Sequence, residues 1–385
     1  MMKSAADQRL TLPLSAACAP ELIAVRIAAV LIPPRADMTI SRFNEPYISR
    51  RTSVKKDIAG CGPFALVARQ PLPAQRNCVE FVKGLSLPVT RIGLEADPLS
   101  QWLHASLIRA GFETVLLETR HVKAALSAMS IKTDRNDARG IAQLMRMGWF
   151  RPVHAKSVGS REVRALLVAR KQLLSKLMDL EASMRGILRG FGLKMGVVTR
   201  KGFEARVREL SAGQAMLERV TSAMLEARAA LWREFEQLHR EMLRIVRDDE
   251  ICRRLMSTPG VGPLVAITFK SAIDDPGRIA KSKTIGALFG LVPKKYQSGE
   301  RDVSGGITRT GDESVRTALY EAANVMLTRT TRFSSLKRWA LEVAKRRGLK
   351  RARVALARKL GVVLHRIWID GTTFRWTKHN PAIAG

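Results

Sequence analysis

Two aspartates, Asp134 and Asp137, stand three positions apart in "IKTDRNDARGIA" (131–142), with Lys132, Arg135 and Arg139 around them. At i, i+3 on a helix two carboxylates leave from one face, and they repel each other unless water or a cation screens them. Hard divalent cations such as Mg²⁺ take oxygen ligands, often one or two carboxylates together with substrate phosphates. Glu95 ends a short apolar strand, "VTRIGLEA" (89–96), at the carboxyl edge where an α/β sheet presents its ligands. Glu95, Asp134 and Asp137 could therefore converge on one Mg²⁺ that also holds a phosphate, with Lys132 and Arg135 on the polyanion that brings it. The competing reading is a solvated helix face whose aspartates pair with lysine and arginine.

A second group lies in "KKYQSGERD" (294–302), where Ser298 precedes Gly299 in a basic, glycine-flanked loop. A serine that attacks a phosphodiester needs exposure and positive charge at the phosphoryl oxygens, and Lys294, Lys295, Arg301 and Arg309 are candidates to supply it. Most loop serines do nothing of the kind. "TPGVGP" (258–263) is a turn between helical segments, and backbone N–H groups around Gly260 and Gly262 can bind a phosphate backbone. Plain turn chemistry explains the same glycines. Arg316 completes the candidate nucleic-acid contacts.

The chain that must position these groups has 385 residues, enough for two or three domains. It is 46% hydrophobic, which places it among globular proteins, and its 66 Lys+Arg against 34 Asp+Glu give a net charge of +32. A field of that sign attracts polyanions, nucleic acid foremost and an anionic membrane surface second. No apolar run reaches the roughly 18–20 residues of a transmembrane helix. "ELIAVRIAAVLIPP" (21–34) is too short and charged, and "LTLPLSAACA" (10–19) is a poor signal peptide beside Asp7 and Pro13. Cys18, Cys61, Cys78 and Cys252 form no CxxC, so neither zinc nor a disulfide framework is indicated. The expected compartment is the cytoplasm, with no membrane partner.

Texture divides the chain further. Residues 1–77 are rich in turn formers and give no assignable element, so an atypical, poorly ordered segment is expected there. In 78–155, strand patterns at 89–96 and 114–119 flank a helical pattern at 98–112, and helical patterns follow through Met147, which is an α/β layer. In 156–250, apolar residues step by three and four from Val163 to Phe191 and again from Phe203 to Ile245, around "GFGLKMG". Two such stripes predict an antiparallel helical hairpin or a coiled coil between subunits. Residues 251–376 read as a compact, mainly helical domain with a loop-rich stretch at 290–312 and basic helices including 344–361, before a tail at 377–385.

Read in order, "IGLEA", "ETRHVKAALSAMSIKTDRNDARGIAQLMRMG", "PGVGPLVA", "LFGLVPKKYQSGE" and "GGITRTGDESVRTALYEAANVML" resemble the DEDD transposases of bacterial insertion sequences, the IS110 family, over about 78–376. The resemblance implies an α/β plus α protein: a RuvC-like, ribonuclease-H-type domain, a coiled-coil insert, and a C-terminal transposase domain that supplies a serine. It implies a bridge-RNA-guided, Mg²⁺-dependent recombinase that works as a dimer or tetramer on double-stranded DNA at element ends and target. Glu95, Asp134 and Asp137 match the family's metal-binding carboxylates, and Ser298 its nucleophile. The family's first aspartate lies on an opening strand of the form "GIDVS", which residues 1–77 lack; Asp57 is the nearest candidate. The RuvC-like domain is thus expected to be incomplete, as an altered or misjoined reading frame would leave it. Three functions stay open: an active recombinase, a nucleic-acid-binding remnant without chemistry, and a metal-dependent nuclease that makes no use of Ser298.

Overall fold

The computed structural model describes residues 24–31, 64–69, 75–84 and 89–376, in two compact units, Met1–Ala155 and Lys156–Gly385. Asp57, the signal-like stretch at 10–19 and the tail at 377–385 lie outside the described residues.

The first unit is a mixed α/β layer. Its elements are β1 (Ala24–Leu31), β2 (Phe64–Arg69), α1 (Gln75–Gly84), β3 (Val89–Glu95), α2 (Ser100–Arg109), β4 (Thr114–Leu117), α3 (Thr119–Leu126), α4 (Asp134–Arg146) and β5 (Pro152–Val153). The sheet order is β2-β1-β3-β4-β5; β3 and β4 are parallel and the other pairs antiparallel. The N-terminal segment, expected to give no element, therefore contributes two strands and the start of α1. A short apolar run such as "AVRIAAVL" has no diagnostic period and becomes a strand only by pairing, here with β3.

The period-2 alternation of strands sets the layers. Ile92, Leu94 and Leu116 point into a core with Val82, Leu103 and Leu107 of α1 and α2. Leu117 points the other way, into a core with Ile141, Ala142 and Met145 of α4. Gly93 lies on this second face, and a Cβ there would collide with the Met145 Sδ. Helix α2 opens at Ser100, two residues after Pro98. The Ser100 N–H donates to Asp97 Oδ1 at 2.6 Å, and the Asp97 N–H donates to Ser100 Oγ at 3.0 Å.

The second unit is mainly helical. It opens with α5 (Val158–Gly190), α6 (Phe203–Ser211) and α7 (Ala215–Asp248), the long helices having 33 and 34 residues, or about 50 Å each at 1.5 Å per residue. Arg170 bonds His239 and Arg228 bonds Glu181, so α7 runs back along α5 as an antiparallel pair within one chain. The second apolar stripe is not continuous as expected: Gly213, at φ +81°, breaks it between α6 and α7.

Then follow α8 (Glu250–Met256), α9 (Pro263–Ile273), a 3-10 turn (Ser282–Thr284), α10 (Ile285–Leu288), β6 (Pro293–Ser298), β7 (Arg301–Ile307), α11 (Glu313–Thr328), α12 (Ser335–Arg347) and α13 (Leu349–Asp370). Met242 and Val246 of α7 share one core with α8, α9, α11 and α13, so packing runs through residue 250 without a break. Among the described residues no helix is long and apolar enough to cross a membrane.

Candidate functional site

Glu95 is half-buried at the carboxyl end of β3. It shares a strand face with Gly93, and Gly93 faces Met145, so Glu95 belongs to the layer covered by α4. On α4, Asp137, Ile141 and Met145 recur every four residues; Ile141 is fully buried and Asp137 is 5% exposed. The sheet and α4 thus bring Glu95 and Asp137 into one layer. Asp134 is the first residue of α4, where the side chain of Thr133 accepts from the Asn136 N–H at 3.2 Å and the Thr133 carbonyl from the Asp137 N–H at 2.9 Å.

The Asp134 and Arg135 side chains lie outside the described atoms, and Lys132 is exposed in the turn before α4. Oxygen-only donors suit Mg²⁺ in kind. Among the described residues, however, no three His, Cys, Asp or Glu side chains stand close enough to hold an ion. Strand β1, which lies beside β3 where a further ligand would be sought, reads "AVRIAAVL" and has no carboxylate.

Within the loop-rich stretch expected at 290–312, residues 293–307 form a two-stranded ribbon. Ser298 closes β6 and pairs with Arg301, leaving Gly299 and Glu300 as a two-residue turn with Gly299 at φ +56°. Lys294, Lys295, Ser298 and Arg301 are all exposed, and Lys295 pairs with Asp302 at 3.2 Å. A serine hydroxyl at the tip of a solvated ribbon flanked by cations has the access a nucleophile needs.

The foot of the ribbon is built tightly. Gly290, at φ +63°, leaves no room for a Cβ against the Thr310 backbone, nor does Gly311, at φ +70°, against the Leu288 carbonyl. Arg316 Nη1 lies 2.7 Å from the Thr310 carbonyl and 3.1 Å from that of Gly311. Arg316, expected on nucleic acid, thus also braces the foot of the ribbon. Arg309 remains exposed at φ +55°, its N–H donating to the Gly290 carbonyl at 3.1 Å. Gly260, expected to offer backbone to phosphate, is wedged at φ +82° against the Ala322 carbonyl and Met326 N of α11. Gly262 caps α9 with open space around it.

Polar contacts between distant residues also tie this unit together. Asp274, at φ +66°, accepts from the Ser157 N–H and from the Ser157 and Ser160 hydroxyls, while Lys156 donates to the Ala272 carbonyl at 2.6 Å. Burial and the neighbouring Arg164 and Arg278 lower the Lys156 pKa to about 8. No local spacing signals such contacts, which join residues more than a hundred positions apart.

Comparison with known proteins places both candidate groups in recognised segments. Residues 252–340 match the model described as the Transposase IS116/IS110/IS902 family, and residues 83–192 match a DEDD transposase model of the IS110 type. The chain is 29% identical over 296 residues, 75% of its own length and 80% of the relative's, to the transposase for insertion sequence element IS1111A of Coxiella burnetii. It is 27% identical over 311 residues, 78% of each chain, to the putative transposase y4pF/y4sB of Sinorhizobium fredii. It is 25% identical over 290 residues, 74% of its length and 86% of the relative's, to the transposase for insertion sequence element IS1328 of Yersinia enterocolitica.

Proposed function

Since the chain belongs to the IS116/IS110/IS902 family of transposases, we propose that it recombines DNA by attack of Ser298 on a phosphodiester. The observation that carries this reading is the placement of Ser298 at the exposed tip of a cationic ribbon with a rigidly braced foot. In the step, the Ser298 Oγ forms a bond to phosphorus as one P–O bond to the strand breaks; the hydroxyl proton is lost and the leaving oxygen gains one. A protein–DNA ester remains, and reversal by another strand's hydroxyl releases the serine. Lys294, Lys295, Arg301 and Arg309 hold the phosphate charge. Glu95, Asp134 and Asp137 are the oxygen donors for a Mg²⁺, which when bound supplies positive charge beside phosphoryl oxygens. A guide RNA from the element and a homo-oligomer belong to the same proposal.

The test is a denaturing gel of protein mixed with Mg²⁺, element-end DNA and its flanking transcript, beside Ser298→Ala. A covalent adduct that disappears in the variant is the expected result, and an adduct that persists overturns the assignment. A second reading has its own support in the absence of any carboxylate from β1: a remnant that binds nucleic acid without cutting it. It predicts DNA binding with no adduct and no cleavage. Hydrolysis unaffected by Ser298→Ala would point to a nuclease.

A further inference from the structure

Four of the cations at 344–361 that sequence alone left without a role, Lys350, Arg351, Arg358 and Lys359, line a groove. Helices α12 and α13, joined at Gly348, and the segment after α13 form most of the walls of this open groove, of about 1380 Å³. This exceeds the roughly 300–1,000 Å³ that small molecules occupy. Eight lysines and arginines line it against two carboxylates, Glu342 and Asp370, and Asp370 is already paired with Arg366 at 3.0 Å. Arg351, Val354, Arg358, Val362 and Arg366 follow one another at three- and four-residue steps along α13, so one helix face alternates charge with apolar surface. Half-buried Trp339 stands on the opposite helix with Lys359 Nζ 3.5 Å from its ring centroid. Pro293 and Ile307, the foot of the ribbon that carries Ser298, also line the groove.

We propose that this groove seats a single strand of DNA and leads it to the Ser298 ribbon, which deepens, and for the strand's purpose rests on, the recombinase reading. The charge balance calls for a polyanion. The apolar wall calls for exposed base faces, which a single strand offers and a duplex keeps stacked inside. That the strand is DNA and not RNA rests on the recombinase reading, in which Ser298 attacks a DNA phosphodiester.

The experiment measures fluorescence anisotropy of the full chain with a labelled single-stranded DNA, the RNA of the same sequence, and the annealed duplex, over a range of salt. Single-stranded DNA is expected to bind at least about fivefold tighter than either competitor. Arg351→Glu with Arg358→Glu should weaken it tenfold or more and flatten the salt dependence, since each phosphate contact contributes a slope of about 0.7. Trp339→Ala should weaken it several-fold without changing that slope. Arg219→Glu with Arg233→Glu makes the same charge change on exposed positions of α7 and controls for net charge. Equal or tighter binding of duplex or RNA overturns the inference, as does an equal loss in the α7 control. A chain that forms no Ser298 adduct yet shows groove-dependent binding leaves this inference standing and removes the recombinase reading; the reverse pattern removes only the groove.

Discussion

The two glycines of "TPGVGP" separate a packing role from a phosphate-binding role, because the structure treats them differently. Gly260 sits at φ +82°, where an L side chain costs about 1–2 kcal/mol. An added Cβ there would also fall inside contact distance of the Ala322 carbonyl and 3.1 Å from Met326 N, both backbone atoms of α11 that cannot rotate away. Overpacking of that kind costs about 1–3 kcal/mol. Gly260→Ala should therefore lose roughly 3 kcal/mol, which at about 2–4 °C per kcal/mol for a unit of this size lowers Tm by some 6–12 °C. Gly262, at φ −98° with nothing within 4 Å of where a Cβ would stand, should tolerate alanine at less than about 1 kcal/mol. Thermal melts of the two variants, read beside DNA anisotropy at a temperature where both are folded, decide the matter. The reasoning fails if the variants melt together, or if Gly260→Ala keeps its stability and loses DNA.

Two further predictions follow from the second unit. Arg228 bonds Glu181 at 2.7 Å between α5 and α7, with the two side chains 10% and 24% exposed, and its guanidinium also lies 4.7 Å from the Phe203 ring centroid. Arg228→Ala should cost about 3–5 kcal/mol by stranding a half-buried carboxylate, whereas Arg228→Ala in a Glu181→Ala background should cost much less; urea unfolding as a double-mutant cycle reads the difference. Buried His365 faces the Pro276 carbonyl at 3.2 Å through Nε2, which must carry the hydrogen, so neutral Nδ1 accepts from the Ser282 hydroxyl at 2.9 Å. Burial foremost, with Arg366 and Arg278, lowers its pKa. The unfolded chain then takes the proton first, so stability is full above about pH 6.5 and falls as pH drops through the folded value, by at most about 1.4 kcal/mol per unit. Urea curves from pH 5 to 8 should show a fall that His365→Gln reduces; an identical fall in the variant assigns it to other groups.

What the sequence made legible is local. The apolar steps from Val163 to Phe191 became α5, and "VTRIGLE" and "TVLL" became parallel strands because period and length are properties of neighbouring residues. The ribbon at 293–307 escaped notice for the converse reason: both its strands are exposed and polar, so no alternation marks them, and only Gly299 betrays the turn. The bracing role of Arg316 was hidden because a cation beside a basic loop looks the same in sequence whether or not it also bonds three carbonyls of its own chain.

The paired aspartates show how burial weighs one physical account against another. Carboxylates in the first turn of a helix are favoured by the helix dipole, at about 0.3–1 kcal/mol each when exposed. That account suffices for any solvated carboxylate at the head of a helix, and it needs neither metal nor nucleic acid. It does not suffice for Asp137, which is 5% exposed and on the sheet-facing side with Ile141 and Met145. Withdrawing a carboxylate from water costs several times what the dipole returns, so its position requires compensation, from hydrogen-bond donors and side-chain charge of the protein or from a bound cation. Asp137→Asn discriminates between these sources. If a bound cation is the match, Mg²⁺ raises the Tm of the parent chain and not of the variant; if side chains supply it, Mg²⁺ shifts neither, and the neutral amide lowers Tm equally with and without the ion.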